Sequence, residues 1–263
     1  MNIIRRIKRD VRNILYATQK YKNWREITTS IFIGRNPTRV VLENGIQIYA
    51  PENGELLALA REIFFEGIYN PVNLPVEAND TVVDIGANIG VFTLFAAHKT
   101  RNTVYAFEPF PESFEFLNRN IRINNLHNVI AYSEAVCDKI GMAKLFRHEY
   151  NLRHRLFVDD GKRKLEKYIE VPTTTLLQIM ESNNLKQIDF LKLDCEGAEA
   201  AILQSTPIDY LKRIRKIAME YHENISPLVK HDEIEKLLFE AGFVTEVKWN
   251  YKARGGFIYG LTG

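Results

Sequence analysis

Residues 82–90 read VVDIGANIG, and they run on into GVFTLFAAHK. A short β-rich run that ends in an acid and turns through glycines into a helix start is the opening of a nucleotide-binding α/β unit. Gly86 and Gly90 permit positive φ and close approach of a ligand to the backbone, and Asp84 at the strand tip can accept a hydrogen bond from an amine or a ribose hydroxyl. The dinucleotide fingerprint G-x-G-x-x-G needs a middle glycine against the pyrophosphate. Here the turn is Gly86-Ala87-Asn88-Ile89-Gly90, so Gly86, Asn88 and Gly90 are expected to border a ligand without phosphates.

A second strand, VYAFEP at 104–109, also ends in an acid. Glu108 follows the glycine turn by about the twenty residues expected of an acid that takes both ribose hydroxyls. Asp84 with Glu108 therefore points to an adenosine moiety, and the missing phosphate cradle points to S-adenosylmethionine. Pro111 to Asn125 has the composition of a crossover helix, with Pro111 in its first turn. A third strand is expected over Asn128 to Val136. Glu134 near its end suits the exocyclic amine of adenine; a solvated glutamate, with Ser133 or Ala135 making the contact, is the competing reading.

DIGANIG, FEP, SEAV, FLKLDCEGAE (Phe190 to Glu199) and MEYHEN (Met219 to Asn224), in that order, resemble the FkbM family of S-adenosylmethionine-dependent methyltransferases. LKLDCEGAE is the most distinctive part, and the likeness runs from about residue 66 to about residue 224. The resemblance implies a class I (Rossmann-like) methyltransferase fold and O-methylation of a sugar, glycan or natural-product hydroxyl. The pattern of strands agrees. Ile188 to Asp194 and Lys216 to Glu220 supply a fourth and a fifth parallel strand, and FVTEVKW with FIYGL supplies a terminal antiparallel hairpin.

Upstream of the cofactor unit, eight Lys or Arg stand against one acid between Met1 and Arg25, with Ile3, Ile4, Ile7, Val11, Ile14 and Leu15 at helical spacing. This basic amphipathic helix suits either packing on the domain or a second copy, or peripheral contact of residues 1–25 with an anionic membrane. Arg39 to Ala50 reads as a hairpin turning at Asn44-Gly45, and Glu55 to Glu66 as a helix. Residues 1–78 are thus a helical and hairpin cap, and 79–263 the S-adenosylmethionine-binding domain. Met142 to Phe146 and Lys167 to Val171 read as strands bracketing Arg147 to Glu166, the centre of a polar insert at 147–168. Its Arg153, His154 and Arg155 suit an anionic acceptor, or else a solvated hairpin tip.

The formal net charge of +2 excludes a polyanion binder by overall field. Two cysteines, Cys137 and Cys195, make no disulfide framework, which fits a cytoplasmic protein. No Asn-Pro-Pro-aromatic loop follows the fourth strand, so a nucleic-acid substrate is not expected. Cys195 stands where a cytosine-methylating nucleophile would, yet flanking acids oppose its ionisation. A non-catalytic cofactor-binding protein, docked on a membrane or synthase, is the alternative of another class.

Ligands of open α/β sheets lie beyond the carboxyl ends of the strands. Asp194, Glu220 and His222 end adjacent strands there, near the expected methyl position. They can hold a divalent metal, magnesium or manganese, that activates the acceptor hydroxyl. Alternatively His222 is a general base oriented by Asp194 or Glu220, or the three form a purely structural cluster, since buried ion pairs also gather carboxylates around a histidine. Glu196 and Tyr69, with Glu66, are candidates to face acceptor or cofactor.

Overall fold

The computed structural model describes residues 3–52, 54–146, 168–222, 230–250 and 255–263. The cap comes first: α1 (Ile3–Lys20), α2 (Trp24–Phe32), β1 (Arg39–Val41), β2 (Gln47–Tyr49) and α3 (Leu56–Arg61), which widens into a π-helical turn at Glu62–Glu66. The domain then runs β3 (Val82–Ile85), α4 (Val91–Lys99), β4 (Val104–Phe107), α5 (Pro111–Ile123), β5 (Val129–Tyr132), β6 (Ala135–Val136), β7 (Gly141–Phe146) and β8 (Tyr168–Thr174). It closes with α6 (Leu176–Ser182), β9 (Ile188–Leu193), α7 (Glu199–Ser205), α8 (Ile208–Leu211), β10 (Ile214–His222), α9 (His231–Glu240), β11 (Phe243–Asn250) and β12 (Gly255–Thr262).

Seven strands form the main sheet in the order β11-β12-β10-β9-β3-β4-β5. The five from β10 to β5 are mutually parallel, and β12 and β11 join antiparallel. The chain leaves β3 through β4 to β5, then returns to place β9 on the other side of β3. That reversal opens a crevice at the carboxyl ends of β3 and β9, where such sheets bind ligands.

Strand period dictates the two faces of the sheet. Val82, Val104, Phe190 and Ala218 face α4 and the cap, while Val83, Ile85, Leu191, Leu193, Ile217 and Met219 face α6, α7 and α9. Helix α4 is buried from Val91 to Ala97, because the sheet covers one side and the cap the other. Phe64 meets Phe95 edge-on at 5.6 Å across that second boundary. Asn120 and Asn124, four residues apart on α5, bind the backbone of β2 as a neighbouring strand would. Asn120 accepts from Tyr49 N at 2.8 Å and donates to Tyr49 O at 2.9 Å and Ile89 O at 2.8 Å. Asn124 accepts from Gln47 N at 2.9 Å and donates to Gln47 O at 2.7 Å. The cap is thereby tied to the glycine turn itself.

Four expectations change in detail. The strand expected over 128–136 breaks at Ser133-Glu134, and β6 leaves the main sheet to pair with β8 in a three-stranded sheet with β7. The helix expected to end at Glu66 is α-helical only to Arg61. Strand β10 extends to His222, because Gly255 and Gly256 of β12 pair with His222 and Tyr221. In the first hairpin only Gly45 takes a positive φ, 92°, so the loop is longer than a two-residue turn. In α1, Ala17 is buried and Val11 and Leu15 are exposed, so its carboxyl-terminal part packs on the cap. No helix among the described residues is long and apolar enough to cross a membrane.

Candidate active site

The register of three strands brings the charged residues into rows. Asp84, Lys192 and Ala218 lie side by side, and two residues further along come Gly86, Asp194 and Glu220. A lysine within the buried run FLKL needs a partner. Lys192 Nζ lies 3.0 Å from Asp84 Oδ1 and donates to Gly86 O at 2.7 Å, while Thr93 Oγ1 donates to Asp84 Oδ2 at 2.6 Å. Burial would push the Lys192 ammonium down, but Asp84 and Asp194 outweigh it and hold the ammonium above its ordinary range. Asp84 is fully buried by this arrangement. It stands behind the wall of the crevice and anchors the glycine turn through Lys192.

Two glycines have different reasons. A Cβ on Gly86 would fall 1.8 Å from Asp194 O, so the adjacent strand ends close only around glycine at φ 78°. Gly90, at φ 89°, packs where a Cβ would meet the movable Cδ1 of Leu117 at 2.6 Å. Between them Asn88 adopts φ 52° and donates its N–H to Glu108 Oε2 at 2.8 Å. Phe110 N donates to Glu108 Oε1 at 2.8 Å. Burial pushes the Glu108 carboxyl up to about 7, against the pull of those two N–H donors and Lys192.

Gly86, Asn88 and Glu108 line a cavity of about 1120 Å³, counting its open mouth and the solvent in it. Ala135, Val136 and Leu145 close its far end, and Leu59, Glu62, Ile63, Ile68 and Tyr69 bring the cap into its wall. Asp194, Cys195, Glu196 and Glu220 close the near end. Glu134 is half-buried at the break between β5 and β6 and does not line this cavity. Glu66 turns away to pair with Arg61 Nε at 3.0 Å. Arg153, His154 and Arg155 lie outside the described residues.

The near end is crowded with acid. The Tyr69 hydroxyl lies 2.8 Å from Asp194 Oδ2 and 2.9 Å from Glu220 Oε2. A phenol has one proton to donate, so one of these two short contacts lacks a donor from Tyr69. Burial, then Asp194 and Glu220, push that hydroxyl well above its ordinary range. His222 stands one step behind the cavity wall. Its Nδ1 is 3.2 Å from Glu199 Oε1, and its Nε2 is 3.4 Å from Glu220 Oε1 and 3.9 Å from Glu196 Oε2. Burial alone would lower the imidazole; the contacts to Glu199 and Glu220 overcome it and hold it up at about 11. Glu199 also accepts from Cys195 N and Gly197 N, fixing the turn from β9 into α7. Donor atoms of Asp194, Glu220 and His222 all lie within 4.8 Å of one another. Burial, then Glu199 and Asp194, raise the Cys195 thiol well above its ordinary range, the opposite of an activated nucleophile.

Residues 84–245, more than half of the chain, match the family described as the methyltransferase FkbM domain. The chain belongs to the FkbM methyltransferase family. Methyltransferase sdnD of Sordaria araneosa is 27% identical over 79% of this chain and 90% of its own. The 31-O-demethyl-FK506 methyltransferase FkbM of Streptomyces tacrolimicus is 27% identical over 69% of this chain and 80% of its own. The hexuronic acid methyltransferase AglP of Haloferax volcanii is 25% identical over 65% and 66%. Among solved structures, an FkbM methyltransferase from Methylobacillus flagellatus superposes with a TM-score of 0.50 at 14% identity, over 76% of this chain and 47% of that one. The fold is that of a class I methyltransferase, and this FkbM-family protein is an S-adenosylmethionine-dependent methyltransferase. Its cavity fits that cofactor. The Gly86 turn lines its wall, the Glu108 carboxylate borders it, and its far end is apolar. The charge of its near end complements a cationic ligand.

Lys192 and Glu62 are site residues beyond those the motifs point to. A lysine inside an otherwise apolar strand is a signal that can be seen. Glu62 sits in a helical pattern whose π-turn no spacing rule shows.

Proposed function

We propose that this FkbM-family enzyme transfers a methyl group to a hydroxyl of a sugar, glycan or natural-product acceptor, with a divalent cation held by Asp194, Glu220 and His222. The observation that carries it is one hydroxyl, Tyr69, placed 2.8 and 2.9 Å from two carboxylates at the near end of the cavity. The two acids share one phenolic proton, and three mixed oxygen and nitrogen donors within 4.8 Å suit magnesium or manganese. The relatives named for a hexuronic acid and for 31-O-demethyl-FK506 support a hydroxylated acceptor.

The bound cofactor supplies an electrophilic methyl group and leaves as the thioether. A cation at the strand ends supplies Lewis acidity that lowers the pKa of a nearby hydroxyl. The chain does the rest. Glu108 orients the ribose, the Gly86 turn lets the cofactor lie against the backbone, and Tyr69 keeps Asp194 and Glu220 aligned. As the acceptor oxygen gains its methyl, its proton passes to the carboxylate of Asp194 or Glu220. Against burial, Glu199 and Glu220 hold the His222 imidazole up at about 11, and as a ligand to the cation it would give up that proton. Glu196, on the cavity wall, would be a further contact to the acceptor in this reading.

Calorimetry with S-adenosylmethionine, with and without magnesium or manganese, on the wild type and Asp194→Ala, tests the reading together with turnover of uronic-acid and macrolide acceptors. A metal heat lost in Asp194→Ala, with S-adenosylhomocysteine formed from a hydroxylated acceptor, is expected. Metal-independent turnover that survives Asp194→Ala overturns the role of the cation, and an absence of cofactor binding overturns the whole reading.

A further inference from the structure

The cavity wall carries five carboxylates, Glu62, Glu108, Asp194, Glu196 and Glu220, against one cation, Lys192. That ammonium is already committed to Asp84 and to Gly86 O. Four of the acids come from the ends of sheet strands or the loops after them. Glu62 alone comes from the cap. Its carboxylate accepts no hydrogen bond and forms no ion pair among the described residues. Glu108, Asp194, Glu196 and Glu220 all have contacts with protein groups.

The backbone at Glu62 is arranged with care. The helix that begins at Leu56 widens at Glu62 into a π-turn, and Gly67, at φ 64°, ends it. Gly67 N and Ile68 N both donate to Glu62 O, the latter at 3.1 Å. Such widened turns are rare, lose helix regularity, and occur frequently at functional sites. This one puts Glu62 on the cavity wall with Ile63, Ile68 and Tyr69. A half-buried carboxylate on that wall, with Arg61 acting on it only at a distance and no hydrogen-bond partner, gains most from a ligand that supplies one. Burial, with Glu66 and Glu220 adding to it against Arg61, raises the Glu62 carboxyl above its ordinary range.

The cofactor has three parts in a line: adenine, ribose, and an amino acid bearing an ammonium. Glu108 takes the ribose, and the apolar far end at Ala135 and Val136 takes the ring, so the amino acid extends toward the cap and the near end. Asp194 and Glu220 there are shared by Tyr69 and His222. We infer that Glu62 is the acceptor for the α-ammonium of S-adenosylmethionine, so that the N-terminal cap is a working part of the cofactor site. The inference rests on reading the cavity as the S-adenosylmethionine site.

Calorimetric titration of the full chain and of Glu62→Gln with three probes separates the parts. S-Adenosylmethionine and S-adenosylhomocysteine both carry the ammonium; 5′-methylthioadenosine lacks the amino acid. The expected result is a loss of about 10- to 100-fold for the first two, the scale of a charged hydrogen bond, with 5′-methylthioadenosine unchanged. Retained 5′-methylthioadenosine binding also shows that the variant is folded. Unchanged S-adenosylmethionine affinity overturns the assignment and would move Glu62 to the acceptor side. A loss confined to S-adenosylmethionine, which would report the sulfonium, or an equal loss of all three ligands, also overturns it. A wild type that binds none of the three refutes the cofactor reading itself, a failure distinct from that of Glu62.

Discussion

The two ends of the cavity obey opposite rules. At the glycine turn each charge is met inside the protein: Asp84 by Lys192 and Thr93, Glu108 by the N–H groups of Asn88 and Phe110. At the ends of β9 and β10, Asp194, Glu196, Glu199 and Glu220 crowd around one imidazole and one phenol. The first end is a scaffold complete without a ligand. The second gathers four carboxylates in one place, and such clusters of interacting titratable groups occur often at functional sites.

The largest effects should therefore come from the scaffold. Lys192→Met leaves Asp84 as an uncompensated buried charge, and breaking such a pair costs about 3–5 kcal/mol. Chemical denaturation should show that loss; a variant as stable as the wild type would mean that the pair is not the anchor described. Gly86→Ala comes next. It adds left-handed strain of about 1–2 kcal/mol to an overpacking cost of about 1–3 kcal/mol, because the carbonyl of Asp194 is backbone and cannot swing aside. Gly90→Ala is its control. There Leu117 can yield, so cofactor affinity should fall far less than in Gly86→Ala; equal losses would show that backbone contact at Gly86 is not the reason for that glycine.

The scaffold end was largely legible in the sequence, and the reason is local. VVDIGANIG and VYAFEP each carry strand, acid and turn in a few adjacent residues, so spacing alone places Gly86 and Glu108 at one crevice. Asp84 shows the limit. Its place at the strand tip was legible, but its direction depends on Lys192, more than a hundred residues later, and that pairing turns it from the cavity to the interior. The acidic end was legible as a convergence of Asp194, Glu220 and His222 at strand ends. Its geometry was not, because it depends on Tyr69 from the cap and Glu199 from the next helix. The strand carrying Glu134 shows a topological limit: the break after Tyr132 sends β6 into another sheet, and no periodicity in NVIAYSEAV marks it.

Glu108 sharpens the comparison through pH. Its carboxyl is pushed up from 4.5 to about 7, so between those values the folded protein holds a proton that the unfolded chain releases. Stability from this group is fully present below about 4.5 and is lost as pH rises through 7. Affinity for S-adenosylmethionine should run the other way, since ribose hydroxyls donate best to an ionised carboxylate. We expect it to climb by no more than about tenfold per pH unit below 7 and then level off. In Glu108→Gln the slope should vanish and the affinity stay low; a slope that persists would assign the titration to another group.

The smallest effect on stability belongs to the acidic end. Glu220→Gln keeps the shape of the side chain and its capacity to accept from Tyr69, while removing one negative charge from a cluster of carboxylates. Relief of that repulsion is set against the lost ion pair with His222, so stability should stay within about 0.5 kcal/mol of the wild type. The same change should abolish most turnover, because a proposed cation ligand and proton acceptor is lost. Paired thermal melts and turnover assays read both at once. If Glu220→Gln instead destabilises the fold as Lys192→Met is expected to, the crowding at the strand ends is already balanced inside the protein. The two ends would then follow one rule, and the case for a cation at Asp194, Glu220 and His222 would lose its physical basis.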